Sequence, residues 1–300
     1  MPGPDALTGD LLALDVGGTK MAAALVGPDG TVRAQARRPT EAADGAALLE
    51  VAVGLLDEVR RSAEGAGAGP VALGVGCGGP MTPGGATVSP LNIPQWRGFP
   101  LRDALADRAG LPTYVDNDAK ALALGEGWCG AAAGHADFIA MVVSTGVGGG
   151  IVLDGRLLDG AASNAGHIGH VVVDPLGHRC PCGARGCLEA ECSGRSIERI
   201  TGRPAAEATT AVRVRTGRLV GRAVASVVAL LDLRLAVVAG SVALGYGDDF
   251  FDAAQAELDR CTGLEFTRGA QIRPAGLGAD GPLVGAAAVA RRALLDRAAG

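Results

Sequence analysis

Two stretches of this 300-residue chain repeat one order of elements, and that duplication restricts the fold more than any other feature. Leu11–Val16 is an apolar run of strand length broken by Asp15; the turn Gly17-Gly18-Thr19-Lys20, a second strand over Met21–Val26 and the turn Pro28-Asp29-Gly30 follow. Much later, Phe138–Ser144 reads as a strand, Thr145–Gly150 as a glycine-rich turn, Ile151–Leu153 as a strand and Asp154-Gly155 as a turn. Letter-for-letter identity is slight, so the repeat lies in supersecondary structure. The first copy continues through a third strand at Thr31–Arg37, a helix over 41–61 that turns Leu48, Leu49, Val53, Leu56 and Val59 inward, and a strand at Val71–Val75. Helical spacing returns at 101–110, 119–128, 219–233, 249–260 and 282–298, with strands at Thr113–Val115 and Leu235–Ala239. Two α/β domains on mixed sheets are expected, 1–118 and 119–283.

Composition narrows the class. Glycine makes up 48 of 300 residues, 16%, about twice the usual ~7%, without a three-residue period, so it serves turns and close backbone approaches. A net charge of −5 argues against a nucleic-acid surface. The N-terminus lacks the basic region of a signal peptide, and the longest apolar run, Ala223–Leu231, falls far short of the ~20 residues that span a membrane. A cytoplasmic protein is expected, in which seven cysteines point to metal binding rather than disulfides. Only Lys20 and Lys120 among the 27 basic residues are lysines, a skew that fits a GC-rich genome.

Both glycine turns lie between strands, where small residues let backbone N–H groups approach phosphate and a threonine hydroxyl can donate to it. Asp15 suits Mg²⁺ or its water shell. A P-loop is absent, and the GxGxxG match at Gly74–Gly79 is set aside because Pro80 and Pro83 stand where a helix would start. Asp116-Asn117-Asp118 precedes a helix, so one of the three caps it; a carboxylate there could also accept a hydroxyl proton during phosphoryl transfer. His170, Cys180, Cys182 and Cys187 form a Cys₃His set suited to a closed structural zinc site, with Cys192 and His178 as rival ligands.

Taken in order, LDVGGTK at 14–20, GVGCGGP at 74–80, SPLNIPQW at 89–96, GLPTYVDNDAKALALGE at 110–126, STGVGGGIVLDG at 144–155, AGHIGHVVVDPLG at 165–177, CPCGARGCLEAECSG at 180–194 and VVAGSVALG at 237–245 resemble the ROK family of repressors and sugar kinases. The resemblance covers nearly the whole chain. It implies the actin-like, hexokinase-like ATPase fold with an interdomain cleft, the C-terminal helix 284–300 joining the N-terminal domain, and ATP-dependent phosphorylation of a hexose, usually at the 6-hydroxyl. It casts Asp118 as general base; Gly79, Asn92, Asn117, His167, His170 and Glu189 as sugar ligands beside it; Gly17, Gly18, Thr19, Lys20, Thr145 and Gly146 at the phosphates; Asp15 near Mg²⁺; and Gly240 and Ser241 on the adenosine side. Homodimers or homotetramers are expected on the same ground.

Two departures stand out. His167 replaces the family's usual glutamate, exchanging a double acceptor for an imidazole that accepts one hydrogen bond and donates another. An amino-hexose such as kanosamine, N-acetylmannosamine or N-acetylglucosamine therefore stands beside glucose as the expected substrate. An arginine-rich chain of this kind also suits antibiotic biosynthesis. Lys120 replaces a common asparagine and either contacts phosphate or lies on the helix surface, the surface being the favoured reading. The alternative from another class is a sugar-sensing ROK-type repressor lacking its DNA-binding domain.

Overall fold

A computed structural model describes residues 8–62 and 69–299. Residues 1–7, where the N-terminus was read for a signal peptide, lie outside the described residues. The elements in chain order are β1 (Leu11–Val16), β2 (Lys20–Val26), β3 (Val32–Pro39), α1 (Gly45–Ser62), β4 (Ala72–Cys77), α2 (Leu101–Ala109), β5 (Thr113–Asn117), α3 (Asp118–Cys129), β6 (Phe138–Val143), β7 (Val147–Leu153), β8 (Arg156–Leu157), α4 (Leu188–Cys192), α5 (Gly194–Thr201), α6 (Thr210–Leu231), β9 (Leu235–Ala239), α7 (Ser241–Tyr246), α8 (Asp248–Cys261), β10 (Gln271–Pro274) and α9 (Gly281–Ala299).

Within the described residues the chain forms two compact units: Met1–Gly130 with Asp159–Asn164 and Leu277–Gly300, and Ala131–Leu158 with Ala165–Gly276. The division falls after α3 rather than at 118/119, because α3 packs against α9 on the first sheet. Each unit holds one five-stranded sheet, ordered β3-β2-β1-β4-β5 in the first and β10-β9-β6-β7-β8 in the second. In both, the first three strands are antiparallel neighbours and the last two join in parallel. The repeat read from two turns thus extends to whole sheets.

Alternation fixes the two faces of the first sheet. Leu12, Leu14, Val16, Leu73 and Val75 pack with Leu48, Ala52, Leu55, Leu56 and Val59 of α1. Leu49 is only half-buried, and Ala52 and Leu55 take inward places that the periodicity had not given them. Leu11, Ala13 and Ala72 of the other face pack with Leu283, Ala286, Ala287 and Ala290 of α9. A Cβ at Gly74 would stand 2.0 Å from the Ala286 carbonyl oxygen, so α9 lies directly on the β4 backbone.

In the second unit, the glycine-rich run differs from expectation. Gly148, Gly149 and Gly150 belong to β7, paired with Val142, Met141 and Ala140, and only Ser144–Gly146 makes the turn. The reason is crowding: Gly166, at φ +95°, lies so near that a Cβ on it would stand 2.4 Å from the Gly149 carbonyl oxygen. Residues 165–170 can lie along β7 only where neither backbone carries a side chain between them. Helix α6 begins at Thr210, nine residues before the apolar stretch that marked it in the sequence. Among the described residues no helix is long and apolar enough to cross a membrane.

Candidate active site

In the first unit the parallel strands β1, β4 and β5 end together. Their register aligns Asp15 with Gly76 and Asp116, and Val16 with Cys77 and Asn117. The carboxyl ends of parallel strands are where α/β sheets place ligands, and most of the first unit's predicted residues gather there. The turn after β1 exposes Gly18, Thr19 and Lys20 and is pinned from behind: Thr40 donates its hydroxyl to the Gly17 carbonyl at 2.7 Å and its amide to the Thr19 carbonyl at 3.0 Å. A Cβ on Gly18 would stand 2.6 Å from that of Asn92, so the 89–96 loop lies against the turn. That loop is seated by fully buried Trp96, whose indole donates to the Gly45 carbonyl, and by Arg97, which donates to the Ile93 carbonyl. Gly79 lies beside the Asn117 side-chain amide, so that a Cβ on it would stand 3.5 Å from Nδ2. No α-helix follows β4 directly, in keeping with the rejected dinucleotide motif.

Asn117 is the N-cap of α3, accepting the Ala119 amide at 3.0 Å, and Asp118 accepts the same amide at 2.8 Å. Capping leaves the Asp118 carboxylate accessible: Asp118 stays exposed while its carboxylate is oriented by the helix start. Burial and the neighbouring charge of Asp118 push the Asp15 carboxyl up to about 7, with Lys20 pulling the other way. A proton or a cation would relieve that pair, and magnesium's preference for carboxylate oxygen fits it. Cys77, on the middle strand, is fully buried, and burial with the charges of Asp118 and Asp15 drives its thiol up.

Lys120 corrects the surface reading. Its side chain is 2% exposed, and its ammonium lies 2.9 Å from Asp116 and 2.7 Å from Asp159. Arg292 of α9 completes the group at 2.9 Å from Asp159. An isolated buried ammonium would cost several kcal/mol, which this pairing offsets. Burial raises Asp116 against the pull of Lys120, whereas at Asp159 hydrogen bonds from Arg292 and Lys120 outweigh burial and hold the carboxyl low. Sequence offers Asp116 only as one of three candidate caps and does not single out Asp159 or Arg292; the rarity of lysine is the one signal pointing to their partner.

In the second unit, the Ser144–Gly146 turn faces Glu189 at the start of α4. A Cβ on Gly146 would lie 3.5 Å from the Glu189 carboxylate, which accepts the Val147 amide at 2.5 Å. Burial raises the Glu189 carboxyl, and that amide lowers it. Thr145 is exposed. Ser241 begins α7 with its hydroxyl 2.9 Å from that of Ser144, and Gly240, at φ +102°, passes so near β6 that any Cβ would meet the Val143 carbonyl oxygen. The turn expected on the adenosine side and the turn expected at the phosphates are thus neighbours. The rings of His167 and His170 lie nearly parallel, 6.3 Å apart.

His170, Cys180, Cys182 and Cys187 bring their ligand atoms within 4.8 Å of one another. The Cys182–Cys187 sulfurs are 3.7 Å apart and the Cys180 sulfur is 3.7 Å from His170 Nδ1; tetrahedral Zn–S bonds of ~2.3 Å require S···S near ~3.8 Å. The donor set and spacing fit zinc. Neither rival joins: His178 Nδ1 lies 3.1 Å from buried Glu191, and Cys192 is sealed in the core with its thiol toward the Thr216 carbonyl.

The ROK family sequence model matches residues 11–293. The N-acetylmannosamine kinase of Citrobacter koseri is 37% identical over 253 residues, which cover 79% of this chain and 84% of that protein. The solved ROK hexokinase from Thermus thermophilus is similar with a TM-score of 0.84 and 33% identity, covering 96% of this chain and 99% of its own. A ROK family glucokinase from Streptomyces griseus, in complex with glucose and AMPPNP, has a TM-score of 0.81 and 30% identity over 95% of this chain and 100% of its own. The chain belongs to the ROK family.

Proposed function

We propose that this chain is a sugar kinase that moves the γ-phosphoryl group of ATP to the 6-hydroxyl of a glucose-like hexose or amino-hexose. The observation that carries the reading is the exposed Asp118 carboxylate, oriented by the Ala119 amide and set beside Asp15 at the ends of three parallel strands. Asp118 accepts the hydroxyl proton as the sugar oxygen bonds to phosphorus and the bond from phosphorus to the β,γ-bridging oxygen breaks, releasing ADP. Positioning does most of the work in such a transfer. In this reading Gly79, Asn92, Asn117, His167, His170 and Glu189 are the residues that orient the sugar. Gly17, Gly18, Thr19 and Lys20, with Thr145 and Gly146, receive phosphates, while Gly240 and Ser241 receive the adenosine side. Mg²⁺, held toward Asp15, supplies neutralisation of phosphate charge when bound. His170, Cys180, Cys182 and Cys187 would hold a structural Zn²⁺, which would fix the loop leading to Glu189.

A second reading, N-acetylmannosamine as the sugar, is favoured by the Citrobacter koseri relative. Purified protein assayed with ATP on glucose, kanosamine, N-acetylmannosamine and N-acetylglucosamine separates the substrates, and a 6-deoxy analogue of the best one tests the position. Asp118→Asn is expected to lower turnover at least ~10³-fold with an unchanged melting temperature. No turnover on any hexose would refute the proposal, and a near-normal rate in the variant would remove Asp118 as base.

A further inference from the structure

We infer that Lys120 is a positioning residue for Asp118, its buried ammonium acting through a four-charge cluster formed with Asp116, Asp159 and Arg292. The inference rests on the proposed role of Asp118 as base. The chain of contacts is short. Lys120 holds the Asp116 carboxylate at 2.9 Å from one turn along α3, and the same carboxylate oxygen accepts the Asn117 amide at 2.8 Å. Asn117 in turn caps α3 through the Ala119 amide, the group that also orients Asp118. The ammonium therefore lies two hydrogen-bonded links behind the turn that presents the carboxylate.

Three separate segments of the first unit meet in this cluster. Asp116 and Lys120 come from the β5–α3 junction, Asp159 from the 159–164 segment and Arg292 from α9. Two acids and two bases make up the four, with exposed Asp296 3.6 Å from Arg292 at the edge, yet the members are unequal. Lys120 is 2% exposed, whereas the Asp159 side chain is 43% exposed and Arg292 30%. Anchoring α3 to the sheet alone would need only the close apolar packing of α3 on α9 that is already present. A buried ammonium is an expensive way to add stability, but it fixes direction because its partners must meet it at hydrogen-bonding distance. Asp116 is the partner whose direction matters, since its backbone leads straight into Asn117 and Asp118.

The test compares full-length wild type with Lys120→Met, Lys120→Arg and Asp159→Asn, each checked for folding by circular dichroism. Two readouts are taken: steady-state kinetics on the best sugar, and amide hydrogen exchange across residues 117–121. Lys120→Met is expected to lower kcat by ~10- to 100-fold with KM for ATP within about twofold of wild type, and to speed exchange at 117–121. Lys120→Arg should recover part of both. Asp159→Asn, which keeps the Lys120–Asp116 pair, should fold where Lys120→Met does not, and should show a smaller change of the same kind. Folded variants with wild-type kcat and wild-type exchange would overturn the inference. If wild type itself phosphorylates no sugar while exchange at 117–121 still rises in the variants, the kinase reading fails and the positioning of the turn stands.

Discussion

At the scale of single residues, two positions carry the sharpest expectations. Asp15 has a folded pKa of about 7 against an ordinary 3.8. The native state therefore holds the extra proton between those values, and without Mg²⁺ stability should fall as pH rises from about 4 to 7 and level off beyond. Thermal melts across that range should show the slope in wild type and lose it in Asp15→Asn; an equal slope in both would mean another group titrates. Under the proposed function, His167 is the position at which sugar specificity should turn. Returning it to glutamate restores a double acceptor, and the ratio of kcat/KM for glucose to that for the best amino sugar should rise by ~10-fold or more. An unchanged ratio would place selectivity elsewhere. Most of the predicted residues can be named from sequence because short motifs fix backbone turns locally. Lys120 escapes such a reading because only one of its two carboxylate partners, Asp116, is local: the other, Asp159, lies 39 residues away.

At the scale of elements, the loop that carries the Cys₃His cluster is the clearest unit. Cys180, Cys182, Cys187 and His170 approach one another through the isolated bridges Val172–Cys187 and Arg179–Arg185, with little apolar material of their own beyond a small cluster of Cys180, Cys187 and Ala190. Metal ligation should then supply most of its order. Metal analysis of protein purified without added zinc is expected to find about one zinc per chain, and chelation should speed hydrogen exchange across 171–187 first. A folded, active, metal-free preparation would reject the site. The glycine-rich run teaches a related lesson. Six residues that read as a turn became mostly strand, since spacing reveals where glycine is needed but not whether the need is a turn or a neighbouring backbone.

At the scale of the whole molecule, closure of the chain matters most. The C-terminal helix α9 returns to the first unit, where Leu283, Ala286, Ala287 and Ala290 cover β1 and β4. The fit depends on Gly74, because the atom that a Cβ would strike is backbone and cannot rotate away. Gly74→Val should exceed the ~1–3 kcal/mol typical of overpacking and shift the urea midpoint of the unfolding step assigned to the first unit; a shift of less than ~1 kcal/mol would show that α9 yields easily.

Sequence by itself determined the strand–turn–strand duplication, the family, the Cys₃His cluster and the names of most residues at the strand ends, because each depends on local spacing that neighbouring residues enforce. Tertiary structure alone decided the rest. It extended the repeat to five strands per sheet, moved the unit boundary past α3, drew Gly148–Gly150 into a strand and placed Lys120 inside a charge cluster. Each of these turns on which distant backbone or charge arrives alongside, and that is settled by packing rather than by the order of letters.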